Sequence, residues 1–155
     1  MSFSSNVKSE LSHHFGNARH CNIAELSAIL NMCGHIANNR DKFCVKIQTE
    51  NPAAARKYFT LLKKTFNIDS EVLTRRNSQL KKNMVYMLFI NNNEQAEKML
   101  QACGILKTEN GVRRISEKID ELVVNSVCCK RAYIRGAFLA AGSISDPEKM
   151  YHLEF

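Results

Sequence analysis

Six cysteines (21, 33, 44, 103, 128 and 129) and five histidines are the residues of this 155-residue chain best suited to metal or nucleophilic chemistry. His13, His14, His20 and Cys21 form a loose cluster of zinc-ligand types. Their spacing fits no standard finger, and no Cys-x2-Cys pair stands elsewhere in the chain. The cluster therefore reads as surface histidines beside a buried thiol. Cys128-Cys129 opens an apolar helical pattern and reads as packed thiols, because a redox pair needs a setting that lowers a thiol pKa. No catalytic residue, metal site or cofactor is expected from these side chains.

The stronger chemistry is cationic. Lys and Arg number 22 against 15 acids, a net charge of +7. Residues 52–90 hold Arg56, Lys57, Lys63, Lys64, Arg75, Arg76, Lys81 and Lys82 against only Asp69 and Glu71. A positive field so concentrated suits a polyanion, and nucleic acid is the commonest one in the cytoplasm. Just upstream, Phe43, Val45 and Ile47 alternate with Lys42, Cys44, Lys46 and Gln48, the pattern of a strand with one buried and one polar face. A two-stranded ribbon can lie in the major groove, with Lys and Arg on phosphates and Gln or Arg on base edges. The expected DNA contacts are Lys42, Lys46, Gln48, Arg75, Arg76, Lys81 and Lys82, with double-stranded DNA as the partner. A plain solvent-facing polar sheet is the alternative. Neither a membrane nor a small-molecule substrate is expected.

Positioning these residues requires a mixed α and β frame. Val7, Leu11 and Phe15 predict a helix over 4–15. Asn22 and Glu25 have the spacing of a capping box, which predicts a second helix from Asn22 to a glycine stop at Gly34. Asn51-Pro52 opens a third, with Tyr58, Phe59, Leu62 and Phe66 as its apolar side. A hairpin follows, Glu71 to Arg76 and Met84 to Ile90 joined through 77–83. Asn92 or Asn93 caps a helix ending at Gly104; residues 107–125 read as a polar connector with Ile115, Ile119 and Leu122 at helical spacing. A last helix over about 128–141 and a strand from Met150 to Phe155 complete the chain.

Composition fits this frame: 45% apolar and 24% charged residues exclude disorder of the whole chain. No run approaches the length of a membrane-spanning helix, and the first ten residues lack the apolar segment of a secretory signal. The cysteines then read as reduced thiols of a cytoplasmic protein, associated with the nucleoid if it binds DNA.

Shifted by 108 positions, the sequence repeats itself. Cys21–Ile36 lies over Cys129–Ile144, with identities at Cys21/Cys129, Ala24/Ala132, Gly34/Gly142 and Ile36/Ile144. Further on, Phe43, Val45 and Ile47 fall on Tyr151, Leu153 and Phe155. A helix, a glycine turn and a strand recur together. Ala24, Ser27 and Ala28 in one helix and Ala132, Gly136, Ala137 and Ala140 in the other let two backbones approach about a pseudo-twofold axis. The second copy stops within its strand and looks like the start of a longer segment.

Paired helices ending in glycine turns resemble the LAGLIDADG homing-endonuclease fold. The motif lies on Leu26-Ser-Ala-Ile-Leu-Asn-Met-Cys-Gly34 and on Ile134-Arg-Gly-Ala-Phe-Leu-Ala-Ala-Gly142. Residues 128–155 resemble the signature of the WhiA family, bacterial regulators of sporulation and cell division that carry a degenerate copy of this fold, and Ser2–Leu11 resembles that family's start. The resemblance implies an α+β domain of two pseudo-symmetric repeats, with paired central helices and a curved antiparallel sheet, the second repeat truncated. It divides the chain into a first repeat with its N-terminal helix (1–106), a connector (107–127) and an incomplete second repeat (128–155), with a helix-turn-helix domain expected downstream. Active enzymes of the fold place an acid at the eighth motif position of each helix to hold divalent metal at the scissile phosphates. Here the eighth positions are Cys33 and Ala141 and the sixth are Asn31 and Leu139. Asp146 and Glu148 stand near the second motif, but their counterparts are Asn38 and Arg40. The expected protein is a catalytically inactive, DNA-binding transcription regulator. The rival readings are an active homing endonuclease and a protein-interaction scaffold without direct DNA binding, which binds a partner transcription regulator or the protein's own helix-turn-helix domain.

Overall fold

The computed structural model describes residues 2–76 and 83–155. Lys81 and Lys82 lie outside them. In chain order the elements are α1 (Phe3–Ser12), α2 (Arg19–Cys33), β1 (Gly34–Asn39), β2 (Lys42–Thr49), α3 (Pro52–Phe66), β3 (Glu71–Arg76), β4 (Met84–Ile90), α4 (Asn93–Ala102), β5 (Leu106–Glu109), β6 (Val112–Ile115), α5 (Val127–Ala141), β7 (Ser143–Ile144) and β8 (Leu153–Glu154). The fold is α+β, and its main sheet is antiparallel in the order β1-β2-β4-β3.

Side-chain oxygens start four of the helices. Ser2, Asn51, Asn92 and Ser126 each accept a hydrogen bond from the backbone N–H three residues on. Helix α2 is different. It begins at Arg19 behind Ala18, which offers no cap, and Asn22 is buried within it. The expected capping box at Asn22 and Glu25 is therefore replaced by tertiary pairing: the Glu25 carboxylate meets Lys57 and Arg135 instead. A cap is worth about 1 kcal/mol, less than a buried carboxylate loses without its cations.

One further strand appears that the residue pattern did not announce, and two other expectations change. Residues 34–39 form a strand, β1, joined to β2 through Arg40 and Asp41, both at positive φ. That two-residue turn has the backbone of a type I′ hairpin without the usual glycine, so β1, polar and largely exposed, left little trace in the residue pattern. Residues 106–115 fold as the hairpin β5–β6 around Asn110-Gly111, a turn signal that the helical spacing of Ile115 and Ile119 obscured. On α3 the buried side is Tyr58, Leu61 and Leu62, whereas Phe59 points to solvent.

Helices α2, α3 and α4 cover one face of the sheet. Leu26, Ile29 and Leu30, Tyr58, Leu61 and Leu62, and Met99 and Leu100 pack there on Phe43, Val45, Ile47, Leu88 and Ile90. Helix α5 lies against α2, crossing where expected. A Cβ added at Gly136 would collide with the Glu25 carbonyl oxygen and come to 3.1 Å from the Ala28 Cβ. The absence of a side chain at Gly136 is what lets the backbones meet.

The repeat extends to strand register. Ser143 pairs with Glu154 and Ile144 with Leu153; 108 residues earlier His35 pairs with Lys46 and Ile36 with Val45. The final strand is thus the copy of β2 and pairs with β7, the copy of β1, rather than with β2 itself. It is confined to Leu153–Glu154 and exposed.

Candidate nucleic-acid interface

The face of the sheet opposite the helices carries Lys42, Lys46 and Gln48, as the alternation in β2 requires. Register then assigns their neighbours, because residues directly opposite on adjacent strands share a face. Lys46 stands between His35 on β1 and Phe89 on β4, and Phe89 is in turn opposite Glu71. Gln48 is opposite Met87, which is opposite Leu73. Lys42 closes the β1–β2 hairpin opposite Asn39. Arg75 shares this face through its pairing with Val85.

Arg76 does not. It pairs with Met84, whose side of β4 is that of Tyr86, Leu88 and Ile90, so Arg76 projects toward the helix side at the sheet edge. Of the seven expected contacts, four share the open face, one faces away, and Lys81 and Lys82 lie outside the described residues.

The basic cluster at 52–90 is also divided. Arg56, Lys63 and Lys64 are exposed on α3, on the far side of the core from the open face, and Lys63 is paired with Asp69 at 3.0 Å. Lys57 is buried. Its ammonium donates to the Leu11 carbonyl at 2.8 Å and lies 2.8 Å from a Glu25 carboxylate oxygen. Burial lowers the Lys57 pKa, and Glu25 opposes that shift. This lysine serves the core and cannot contribute to an external field.

At the C-terminal ends of the paired helices, no acid occupies either motif position. The Cys33 thiol is half-buried, and desolvation pushes its pKa up to about 11, so it is neutral near pH 7. Ala141 is exposed. Beside them opens a cavity of about 580 Å3 lined by Ser4, Lys8, Gln48, Glu50 and Ala140, in which Glu50 is the one carboxylate among the described residues. Asp146 accepts a hydrogen bond from the Glu148 backbone N–H and organises a local turn. A neutral thiol, a methyl group and a single exposed carboxylate make a poor set for hard divalent cations.

No helix among the described residues is long and apolar enough to cross a membrane.

Sequence and fold comparisons agree with this architecture. A model of the WhiA N-terminal LAGLIDADG-like domain matches residues 19–106, and one of the WhiA LAGLIDADG-like domain matches residues 130–155. The chain is 47% identical over 156 residues to a probable cell division protein WhiA of Lachnoclostridium phytofermentans, covering 99% of the chain and 49% of that protein. A relative of the same description from Alkaliphilus metalliredigens is 46% identical, with 100% and 49% covered. The chain spans about half the length of these curated relatives. Among solved structures, the full-length WhiA of Thermatoga maritima superposes with a TM-score of 0.67 at 19% identity, covering 99% of this chain and 44% of that one. An N-terminal LAGLIDADG domain of WhiA gives 0.68 at 20% identity, covering 98% and 64%. At such identities the structural likeness speaks for the fold.

Proposed function

This chain belongs to the WhiA family, whose curated members carry the name of cell division proteins, and from that premise we propose that it is the DNA-contacting, non-cutting domain of a transcription regulator of cell division and sporulation. The observation that carries the proposal is the open sheet face. Lys42, Lys46 and Arg75 project from it with Gln48 among them, on the side that the helices leave uncovered. Cations on a twisted antiparallel sheet match the phosphates flanking a groove, and the Gln48 amide can pair with a base edge. Cleavage is not part of the reading, because both eighth motif positions lack an acid. The protein then acts in the cytoplasm, at the nucleoid.

The supporting test is titration of labelled duplex DNA at several salt concentrations. Binding should be weak and sequence-tolerant, with a salt slope that falls by roughly 0.9 for each phosphate contact removed in Lys42→Ala, Lys46→Ala and Arg75→Ala. Lys63→Ala, on the far side of the core, should leave the slope unchanged. Absence of binding at low salt would defeat the proposal.

One observation favours a second reading. The same face also presents Leu73, Met87 and Phe89, and Glu71 stands in the row of Lys46. An apolar strip of this kind suits a protein partner, such as another regulator, better than it suits phosphates. Salt-insensitive capture of a protein partner without DNA binding would favour that reading.

A further inference from the structure

At the N-terminal ends of the paired helices, remote from the sheet face, the fold gathers four side chains that the sequence separates by more than 100 residues. His20 and Cys21 stand in the first turn of α2, and Cys128 and Cys129 in the first turn of α5. The ligand atoms of all four lie within 4.8 Å of one another. The His20 Nδ1 is 3.0 Å from the Cys129 Sγ and 3.7 Å from the Cys21 Sγ. We propose that His20, Cys21, Cys128 and Cys129 form a structural site for a thiolate-preferring divalent metal ion of the zinc class, which pins the two repeats together at the head of the helix pair.

Donor type, geometry, symmetry and surroundings each support the site. Three thiolates and one imidazole are a standard closed donor set for zinc. In a tetrahedron with metal–sulfur bonds of about 2.3 Å, ligand atoms stand about 3.8 Å apart, so the observed spacings need to change by no more than about an ångström. The four positions are also equivalent in the repeat: His20 corresponds to Cys128 and Cys21 to Cys129 at the offset of 108. Each helix therefore contributes an adjacent pair from the same turn, and the pseudo-twofold axis passes through the site. Cys21 and Cys129 are buried with Ala24, Ala132 and Val123, while His20 and Cys128 form the outer side. The site thus has a dry floor and an entry path. Two helix N-termini converge on it, and their dipoles favour the net single negative charge of three thiolates with one divalent ion.

Loading involves no electron transfer. The ion displaces one proton from each of three thiols, which pass to solvent, while neutral His20 donates a lone pair. All four tetrahedral positions are filled from the chain, so the site holds structure together and does not activate water. His13 and His14, grouped with these residues by sequence proximity, take no part. The His13 ring bonds to the Ser9 carbonyl, and the His14 carbonyl accepts from Lys57. The expectation of packed, metal-free thiols at Cys128-Cys129 rested on local spacing, and local spacing cannot register ligands drawn from two copies of a repeat.

The test is metal analysis of the 155-residue chain after reduction, incubation with excess zinc chloride and desalting, together with cobalt titration of the metal-free chain. We expect one zinc per chain, a visible cobalt spectrum of tetrahedral type and a near-ultraviolet thiolate-to-cobalt band. Cys128→Ser alters an exposed ligand and spares the buried floor, so its fold should persist by circular dichroism. Its zinc affinity should fall by more than the roughly 100-fold that loss of a mere outer-shell partner costs. His20→Cys should keep the metal with a shifted cobalt spectrum, and Cys44→Ser, on the open sheet face, should change nothing. Less than about half an equivalent of zinc at saturation would overturn the site, since a closed four-ligand site must fill. A cobalt spectrum indifferent to Cys128→Ser, or a disulfide among these cysteines in the freshly purified chain, would overturn it as well.

Discussion

The Lys57 ammonium lies 2.8 Å from the Glu25 carboxylate, and both side chains are almost wholly buried at 0% and 1% exposure. The Arg135 guanidinium reaches the other carboxylate oxygen from α5. One acid on α2 therefore joins α3 and α5, linking the sheet-covering layer to the second repeat. Such a centre specifies how three helices meet, and it is intolerant of partial removal because a stranded interior charge is costly.

Glu25→Gln strands two cations and is expected to cost about 3–5 kcal/mol. Lys57→Met leaves Glu25 paired with Arg135 and should cost less, about 1–3 kcal/mol. Urea unfolding of the two variants checks this ordering; equal losses would mean that Arg135 does not share the carboxylate.

Gly136→Val is expected to destabilise the chain by at least about 1–3 kcal/mol through overpacking. The new side chain would meet the Glu25 carbonyl, which is backbone and cannot swing aside, and the Ala28 Cβ. Ala28→Gly should recover only part of the loss, because it relieves one of the two collisions. Full recovery would place the tight contact elsewhere.

Alkaline pH should weaken the fold. Burial pushes Cys33 up to about 11 in the folded chain. An unfolded chain loses the same proton at about 8.5. The neutral thiol's contribution is fully present below that lower value and is lost as pH rises toward 11. The loss should approach 1.4 kcal/mol per pH unit for this one group at its steepest. Comparing unfolding midpoints of the chain and Cys33→Ala from pH 8 to 11 isolates the group from the lysines that also discharge there. Parallel curves would show that Cys33 is not the source.

The chain should not nick DNA. Supercoiled plasmid incubated with excess protein and magnesium or manganese is expected to remain supercoiled, because a neutral Cys33 and Ala141 offer nothing to hold the ions that activate water. Nicking that copurifies with the chain, stops on chelation and returns with metal would refute this. A Cys33→Asp, Ala141→Asp double variant asks whether the acids alone are missing. Weak metal-dependent nicking would mean that the rest of the site is still in place.

Local residue patterns were enough to specify the elements with strong periodicity or explicit caps, and the repeat that relates them. Alternation in 42–48, Asn51-Pro52 before α3 and the small residues at Ala28 and Gly136 are local patterns, and each produced its expected structure. The lack of acids at the motif positions was legible for the same reason. Whatever depends on distant partners was settled by packing. It turned Glu25 from a local cap into a buried counter-ion, withdrew Lys57 from the surface charge, and set Arg75 and Arg76 on opposite faces through the register of β3 with β4. It also brought His20 and Cys21 to Cys128 and Cys129. Helical and strand periods record which side of an element is apolar, but they do not record which other element will cover it. A contact between first turns 108 residues apart is set by the close crossing at Gly136, and only the folded chain contains that crossing.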